Sequence, residues 1–132
     1  MFSGITLLLL TIRYRDVDAN ALTTISATVG DRVTLYCSTE LVDPALWTFR
    51  KTSLQDEKHR DIVIGGMIID ENKEWCELSQ PTTRDYHLVI RSVSLDRSGY
   101  YTCVEDDGFG SKHHFYLNVT GECTLYVCSQ EQ

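Results

Sequence analysis

The stretch Ser94–Cys103, "SLDRSGYYTC", places a tyrosine two residues before a cysteine and shortly after a glycine. Because side chains alternate along a β-strand, Tyr101 and Cys103 face the same way if this stretch is extended. An earlier cysteine, Cys37, lies sixty-six residues upstream, and Trp47 follows it by ten residues. The spacing of these four residues decides the fold.

From Leu22 onward the sequence has the period of strands and shows no stretch with the period of a helix. Val33, Leu35 and Cys37 share one predicted face, and the residues between them share the other. Glycine, proline and polar turn signals bound about nine short segments, spaced roughly every 8–12 residues. The pattern predicts an all-β, two-sheet antiparallel sandwich.

The spacing of the two cysteines, the tryptophan and the tyrosine resembles that in the core of an immunoglobulin domain. The residues that carry the resemblance, with a strand-E pattern of the form Leu-x-Ile-x-x-Val, are Cys37, Trp47, Leu88, Ile90, Val93, Tyr101 and Cys103. The resemblance implies a disulfide between Cys37 and Cys103, with Trp47 packed on it and the Tyr101 hydroxyl bonded back to the backbone. On the chain-entropy model a disulfide that closes such a loop contributes about 4 kcal/mol to the free energy of unfolding.

The variable type of immunoglobulin domain, the V-set, is implied by the length between the tryptophan and strand E. Forty-one residues separate Trp47 from Leu88, which leaves room for the extra strands C′ and C″. "DIVIGGMIID" (Asp61–Asp70) supplies two apolar runs split by two glycines. The predicted domain spans residues 22–120, between a signal peptide at 1–21 and a cysteine-containing tail or hinge start at 121–132.

The N-terminus and the cysteine content indicate the compartment. An apolar run, Ile5–Ile12, precedes the small-residue pattern Ala19–Ala21, which is typical of a secretory signal peptide. The alternative is a buried N-terminal strand. The run is too short to span a bilayer, and no later segment is long enough. Five cysteines in 132 residues favour an oxidising compartment, so we predict a secreted chain or the ectodomain of a cell-surface protein.

Several classes of function are disfavoured by the sequence. A net charge of −7 argues against nucleic-acid binding. No nucleophile, metalloprotease or phosphate-loop motif is present, so we expect no catalysis and no cofactor. His113 and His114 are adjacent and would point to opposite faces of a strand, so we expect no metal site.

Three cysteines remain beyond the implied disulfide, namely Cys76, Cys123 and Cys128. One extra bridge would leave one thiol for another chain, so a local Cys123–Cys128 ring and a covalent homodimer through the tail both stay open. Cys76 can also be a buried apolar residue. Asn118 begins a sequon for N-glycosylation and is predicted to point away from the core.

A charge reversal is the main departure from the V-set pattern. The position that usually holds an aspartate before the second cysteine holds Arg97, and Glu74 lies near the position of its usual arginine partner. We predict a reversed ion pair between Glu74 and Arg97. The alternative is that both side chains are solvated and contribute almost nothing.

Alternation also predicts a binding face on the sheet that V-set domains commonly use to meet other proteins. Its proposed members are Arg50, Tyr100, Thr102, His114 and Tyr116. Outward tyrosines beside an arginine have the composition of interface hot spots. The alternative is an ordinary half-exposed sheet face. A second candidate is the acidic loop end formed by Thr39–Ala45 and Glu105–Lys112, which would suit a basic partner.

The function predicted from these features is binding of a cell-surface or soluble extracellular protein, in immune recognition. The alternative function is adhesion, in which the domain self-associates and the odd cysteine links two chains.

Overall fold

The computed structural model describes residues 21–40 and 42–121. The predicted signal peptide up to residue 20 and the tail cysteines Cys123 and Cys128 lie outside the described residues. The described strands are β1 (Leu22–Thr28), β2 (Val33–Leu35), β3 (Leu46–Arg50), β4 (Arg60–Ile64), β5 (Met67–Ile68), β6 (Cys76–Ser79), β7 (His87–Ile90), β8 (Gly99–Val104) and β9 (Lys112–Thr120). Short 3₁₀ turns occupy Asp70–Asn72, Leu95–Arg97 and Asp106–Gly108. None of the described residues forms a helix that is long and apolar enough to cross a bilayer.

The strands form two sheets, and the larger one carries the extra strands of a variable-type domain. The six-stranded sheet has the order β1-β9-β8-β3-β4-β5, and the three-stranded sheet has the order β2-β7-β6. Strand β1 runs parallel to β9, whereas the other paired neighbours are antiparallel. Strands β4 and β5 extend the larger sheet beyond β3, as strands C′ and C″ do. The predicted sandwich is confirmed.

A disulfide between Cys37 and Cys103 lies at the centre of the core, as the resemblance implied. Trp47 is 0% exposed and pairs with Cys103 across β3 and β8. Its indole Nε1 donates a hydrogen bond of 2.7 Å to the carbonyl oxygen of Tyr86, and its ring centroid lies 5.5 Å from that of Phe115. The indole is therefore fixed by packing on one side and by a hydrogen bond on the other.

Tyr101 closes the corner that the sequence predicted. Its hydroxyl donates a 2.7 Å hydrogen bond to the carbonyl oxygen of Arg97, at the end of the 3₁₀ turn that precedes β8. Burial raises the pKa of this phenol, so the hydroxyl stays protonated and able to donate. Gly99 has φ +150°, and an added Cβ would lie 2.6 Å from the Phe49 ring, so the chain turns here only with glycine.

Cys76 is a free thiol that is 1% exposed, in agreement with the buried apolar alternative. Its sulfur lies 3.3 Å from the backbone carbonyl oxygen of Asn72. Burial raises the pKa of the thiol to about 12, so almost none of it is thiolate at neutral pH. The role of Cys76 in an extra or interchain disulfide is therefore not supported by its position.

The predicted ion pair between Glu74 and Arg97 is wrong. Within the described part of the chain Arg97 makes no salt bridge, and its guanidinium carbon lies 3.9 Å from the centre of the Trp75 ring. Trp75 is held in place because its indole Nε1 donates a 3.1 Å hydrogen bond to Asn72 Oδ1. A cation–π contact thus occupies the place where V-set domains usually have an ion pair.

A pair of double-mutant cycles distinguishes these two interactions. We expect the cycle of Trp75→Ala with Arg97→Gln to give a coupling free energy of about 0.5–2 kcal/mol. The cycle of Glu74→Gln with Arg97→Gln should give a coupling close to zero, because Glu74 is exposed and no salt bridge joins it to Arg97. Urea unfolding of the six proteins measures both values, and a larger coupling for the glutamate would contradict the assignment.

Candidate protein-binding face

Outward-facing residues of β3, β8 and β9 form a grid of three rows, which we call the front face. Strand pairing places one residue from each strand in every row. The rows are Arg50–Tyr100–Tyr116, Thr48–Thr102–His114 and Leu46–Val104–Lys112. The structure thus brings together all five residues that the sequence assigned to a binding face, and it places Leu46, Thr48, Val104 and Lys112 beside them.

The first row is aromatic and basic. The half-buried rings of Tyr100 and Tyr116 lie with their centroids 4.8 Å apart and their planes tilted by 35°. Arg50 leans toward the middle row, where its Nη1 donates a 3.2 Å hydrogen bond to Thr48 Oγ1. Its Nε donates a 3.0 Å hydrogen bond to the backbone oxygen of Asp56, which fixes the guanidinium. The row therefore presents a preorganised cation beside two rigid aromatic rings.

The middle row is sunken, contrary to the expectation that Thr102 is an exposed contact residue. Thr48 is 8% exposed and Thr102 is 3% exposed. Both side chains point outward, but they are short, and the longer side chains of Arg50 and His114 cover them. His114 Nδ1 lies 3.0 Å from Thr102 Oγ1. A groove of about 270 Å³ results, with the two threonines on its floor.

His114 has its pKa lowered, first by burial and then by the charges of Lys112, Arg50 and His113. The neutral imidazole therefore predominates at pH 7. Lys112 and Arg50 lie in the rows on either side of His114, so the front face carries two cations although the whole chain carries −7.

The loop end is organised by a buried glutamate, Glu105. Glu105 is 7% exposed. Its carboxylate accepts hydrogen bonds from the Glu40 backbone N–H (3.1 Å) and lies 2.7 Å from His113 Nε2. The Asp107 N–H donates to the Pro44 carbonyl oxygen at 2.7 Å. These bonds join the two loops side by side, and their partners come from distant parts of the sequence.

Burial alone would raise the pKa of Glu105, but hydrogen bonds from His113, the Glu40 backbone and Thr39 outweigh burial and lower it. The Glu105→Gln variant should therefore lose about 1–3 kcal/mol of unfolding free energy at pH 7. A carboxylate with a lowered folded pKa stabilises above its unfolded pKa of about 4.3. The difference from wild type should thus begin to shrink as the pH falls below that unfolded pKa, and it should disappear only below the lower folded pKa.

Urea unfolding between pH 7 and pH 3 measures this difference. Asp107→Asn is the matched control, since Asp107 lies in the same loop but is exposed. The control should show no comparable loss at pH 7. A pH-independent loss in Glu105→Gln would contradict the assignment of the charge to loop stability.

Two apolar side chains at the loop end are strongly exposed. Val42 and Phe109 are 92% and 90% exposed. The pKa of Asp106 is raised by a hydrogen bond with Asp43 and by the charges of Asp43 and Asp107. The loop end thus combines acidic residues with two exposed apolar side chains.

Asn118 is exposed on β9 and lies on the same side of the sheet as Tyr116, two residues away. Its partner in the register is Ser26 on β1, so it borders the front face. His113 and His114 point to opposite faces, toward Glu105 and Thr102. Among residues 21–40 and 42–121, no three His, Cys, Asp or Glu side chains come together as a metal site would require.

These features define the chain as an immunoglobulin-fold domain with the strand order of the variable type. No model of a known protein family matches the sequence. Among curated proteins, the prostaglandin F2 receptor negative regulator of Rattus norvegicus is 33% identical over 89 residues. That match covers 61% of this chain and only 10% of the relative, and the Mus musculus protein matches equally.

Solved structures with the same fold include the first immunoglobulin domain of the mouse polymeric immunoglobulin receptor. Its TM-score is 0.60 at 20% identity, covering 78% of this chain and 94% of that chain. The ZIG-8 IG1 homodimer has a TM-score of 0.60 at 19% identity, covering 77% and 82%. The extracellular domain of the sodium channel beta4 subunit, a parallel homodimer, has a TM-score of 0.56 at 17% identity, covering 77% and 93%. At these identities the similarity establishes the fold.

Proposed function

We propose that this chain is an extracellular recognition domain that binds a protein ligand through its front face, in immune recognition. The observation that carries the proposal is the row of Arg50, Tyr100 and Tyr116 beside a groove. Tyrosine and arginine are enriched among residues that dominate binding energy. A rigid aromatic pair also loses little conformational entropy when a ligand covers it.

The extracellular part of the proposal is supported by the chemistry of the domain. A structural disulfide needs an oxidising compartment to form and persist, and the Cys37–Cys103 bridge lies in the core. The exposed side chain of Asn118 is sterically available to the glycosylation machinery. We propose that Asn118 is glycosylated and that the N-terminal apolar run is cleaved. Peptide mapping of the secreted chain tests both statements.

Loss of the two front-face tyrosines tests the binding proposal. A multimeric form of the folded chain, screened against displayed cell-surface and secreted proteins, provides a ligand. We expect Tyr100→Ala with Tyr116→Ala to weaken that ligand at least about 30-fold, since hot-spot truncations cost about 2 kcal/mol or more. Surface plasmon resonance on monomeric protein measures the change.

Tyr36→Ala is the matched control, because Tyr36 is a 69% exposed tyrosine next to β2 of the other sheet. The control should leave the affinity unchanged. An unchanged affinity in the front-face double variant would overturn the proposed site. If Val42→Ala with Phe109→Ala weakened the affinity by a similar factor and the tyrosine variant did not, binding would be assigned to the loop end.

Self-association is the second candidate function. The specific observation in its favour is that the ZIG-8 IG1 and sodium channel beta4 structures are homodimers. Sedimentation of the folded chain distinguishes the two functions, because a recognition domain for another protein should stay monomeric at micromolar concentration. Non-reducing electrophoresis detects a covalent dimer through Cys123 or Cys128.

A further inference from the structure

The groove in the front face has a cationic lining, although the chain as a whole is acidic with a net charge of −7. Its described lining contains the cations Arg50 and Lys112, with His114 neutral at pH 7, and no aspartate or glutamate. The full lining is Leu46, Thr48, Arg50, Leu54, Thr102, Val104, Gly108, Lys112 and His114. A positive concavity on a negative protein is an electrostatic feature that focuses anionic groups into it.

The arginine in this groove is held in place but has no carboxylate within salt-bridge distance among the described residues, although, after the hydrogen bond from Thr52, its charge helps to lower the pKa of Asp56. Two of its five N–H donors are used, by Thr48 Oγ1 and by the backbone oxygen of Asp56. Within the described residues Arg50 makes no salt bridge. The Asp56 carboxylate instead accepts hydrogen bonds from Thr52 Oγ1 and the Lys58 N–H, at 2.8 and 3.0 Å. Three guanidinium N–H groups therefore remain available to an incoming acceptor.

The other groups of the groove fit the same kind of ligand. Thr48 and Thr102 are register partners on the floor, with Arg50 bonded to one and His114 bonded to the other. His114 Nε2 has no partner among the described residues and is a second candidate donor. Leu46 and Val104 supply an apolar wall in the adjacent row. A carboxylate with a short aliphatic stem matches this set of donors and walls.

The charge of the groove also favours a different protein over a second copy of this chain. In a two-fold dimer that buries the front face against itself, the same patch meets its own copy. The cations Arg50 and Lys112 would then face the same two cations of the partner patch. Like charges facing one another disfavour association.

We propose that the groove binds the carboxylate of an aspartate or glutamate side chain from the protein ligand, with Arg50 as its main contact and Lys112 and His114 in support. This inference rests on the proposed function, since it names the chemistry by which the front face recognises its ligand. Tyr100 and Tyr116 contact the apolar neighbours of that acidic residue.

Nuclear magnetic resonance titration of the folded, disulfide-bonded chain tests the inference without knowledge of the ligand. The probe is a short blocked peptide with one glutamate between two apolar residues, and its control is the same peptide with glutamine. We expect saturable amide shifts at Thr48, Thr102 and His114, with a dissociation constant on the order of 1–10 mM. The glutamine peptide should bind about tenfold more weakly or not at all.

Three variants make the titration specific. Arg50→Gln should weaken the glutamate peptide about tenfold or more. Lys112→Gln removes an exposed cation that no hydrogen bond holds among the described residues, and should weaken it about 1.5–5-fold without affecting folding. Arg32→Gln, directly before β2 of the other sheet, is the matched control, because its only described salt bridge is an exposed contact with Glu77 at 3.7 Å. It should change nothing.

Equal binding of the two peptides, or no saturable shift with either, overturns the inference. Saturable binding of N-acetylneuraminic acid without binding of the glutamate peptide also overturns it, since the carboxylate would then come from a sugar. A failure of this inference can be distinguished from a failure of the proposed function. If the protein ligand no longer binds Tyr100→Ala with Tyr116→Ala but still binds Arg50→Gln and Lys112→Gln, the front face is the binding site and the carboxylate is not what it recognises.

Discussion

Replacing both Cys37 and Cys103 by alanine is expected to lower the free energy of unfolding by about 4 kcal/mol. The reason is that the disulfide closes a loop with a sequence separation of 66 residues, which restricts the unfolded chain. Since domains of this size are stable by only about 5–15 kcal/mol, the loss removes a large part of the total. Urea unfolding monitored by tryptophan fluorescence measures it.

Cys76→Ala is the control for the loss of a buried sulfur without a cross-link. Cys76 is as buried as the bridge, but it is a free thiol. Its loss should cost about 1 kcal/mol, because only a small apolar group is removed. If the double variant were no less stable than this control, the disulfide would not be the covalent support of the fold.

The second large effect is expected at Trp47. Trp47→Ala should lower the free energy of unfolding by about 3–5 kcal/mol, because the indole is fully buried and its removal leaves a cavity. The Tyr86 carbonyl oxygen would also lose the donor that now lies 2.7 Å away. Trp47→Phe should lose less, about 1–3 kcal/mol, because it keeps an aromatic ring but has no N–H.

The chain contains one other tryptophan, Trp75, which gives a matched comparison. Trp75 is half-buried and contacts the guanidinium of Arg97, so Trp75→Ala should cost less than Trp47→Ala. Equilibrium unfolding of both variants makes the comparison. Trp47 would not be the core residue described above if the two losses were equal.

Much of the fold could be predicted because its signals are local. Alternation predicted the buried positions Val33, Leu35 and Cys37, which are all nearly inaccessible. The positions of Cys103 and Tyr101 on one strand predicted a shared inward face, and both are 0% exposed. These signals are reliable because a shift of one residue in the strand register would move all the apolar side chains from the core to the solvent.

The features that could not be predicted depend on contacts between distant segments. Arg97 was paired with Glu74 because the two occupy the positions of the usual V-set ion pair, whereas the structure places the Trp75 ring beneath the Arg97 guanidinium. In the sequence Glu105 has the features of an ordinary loop residue, because its partners His113 and the Glu40 backbone approach it only in the folded structure. Thr102 was correctly placed on the outward side of its strand, but alternation does not report how far neighbouring side chains extend.

On the front face, too, the positions of the residues could be predicted from local alternation, but their contacts could not. Strand pairing brings Arg50, Tyr100 and Tyr116 into one row, as the alternation of three separate strands implied. The groove could not be predicted from alternation alone, because it depends on the length and direction of side chains: Arg50 and His114 extend toward two short threonines. Its positive lining was hidden in the sequence by the net charge of −7.

A glycan placed on the front face tests the central claim most directly. Tyr100→Asn completes a glycosylation sequon with Thr102, and Glu77→Asn completes one with Ser79 on the opposite sheet. The measurement is the affinity of each glycosylated protein for the ligand obtained from the surface-protein screen. Binding should be abolished by the glycan on the front face and retained with the glycan on the other sheet. Undiminished binding with a carbohydrate chain attached at position 100 would contradict the account.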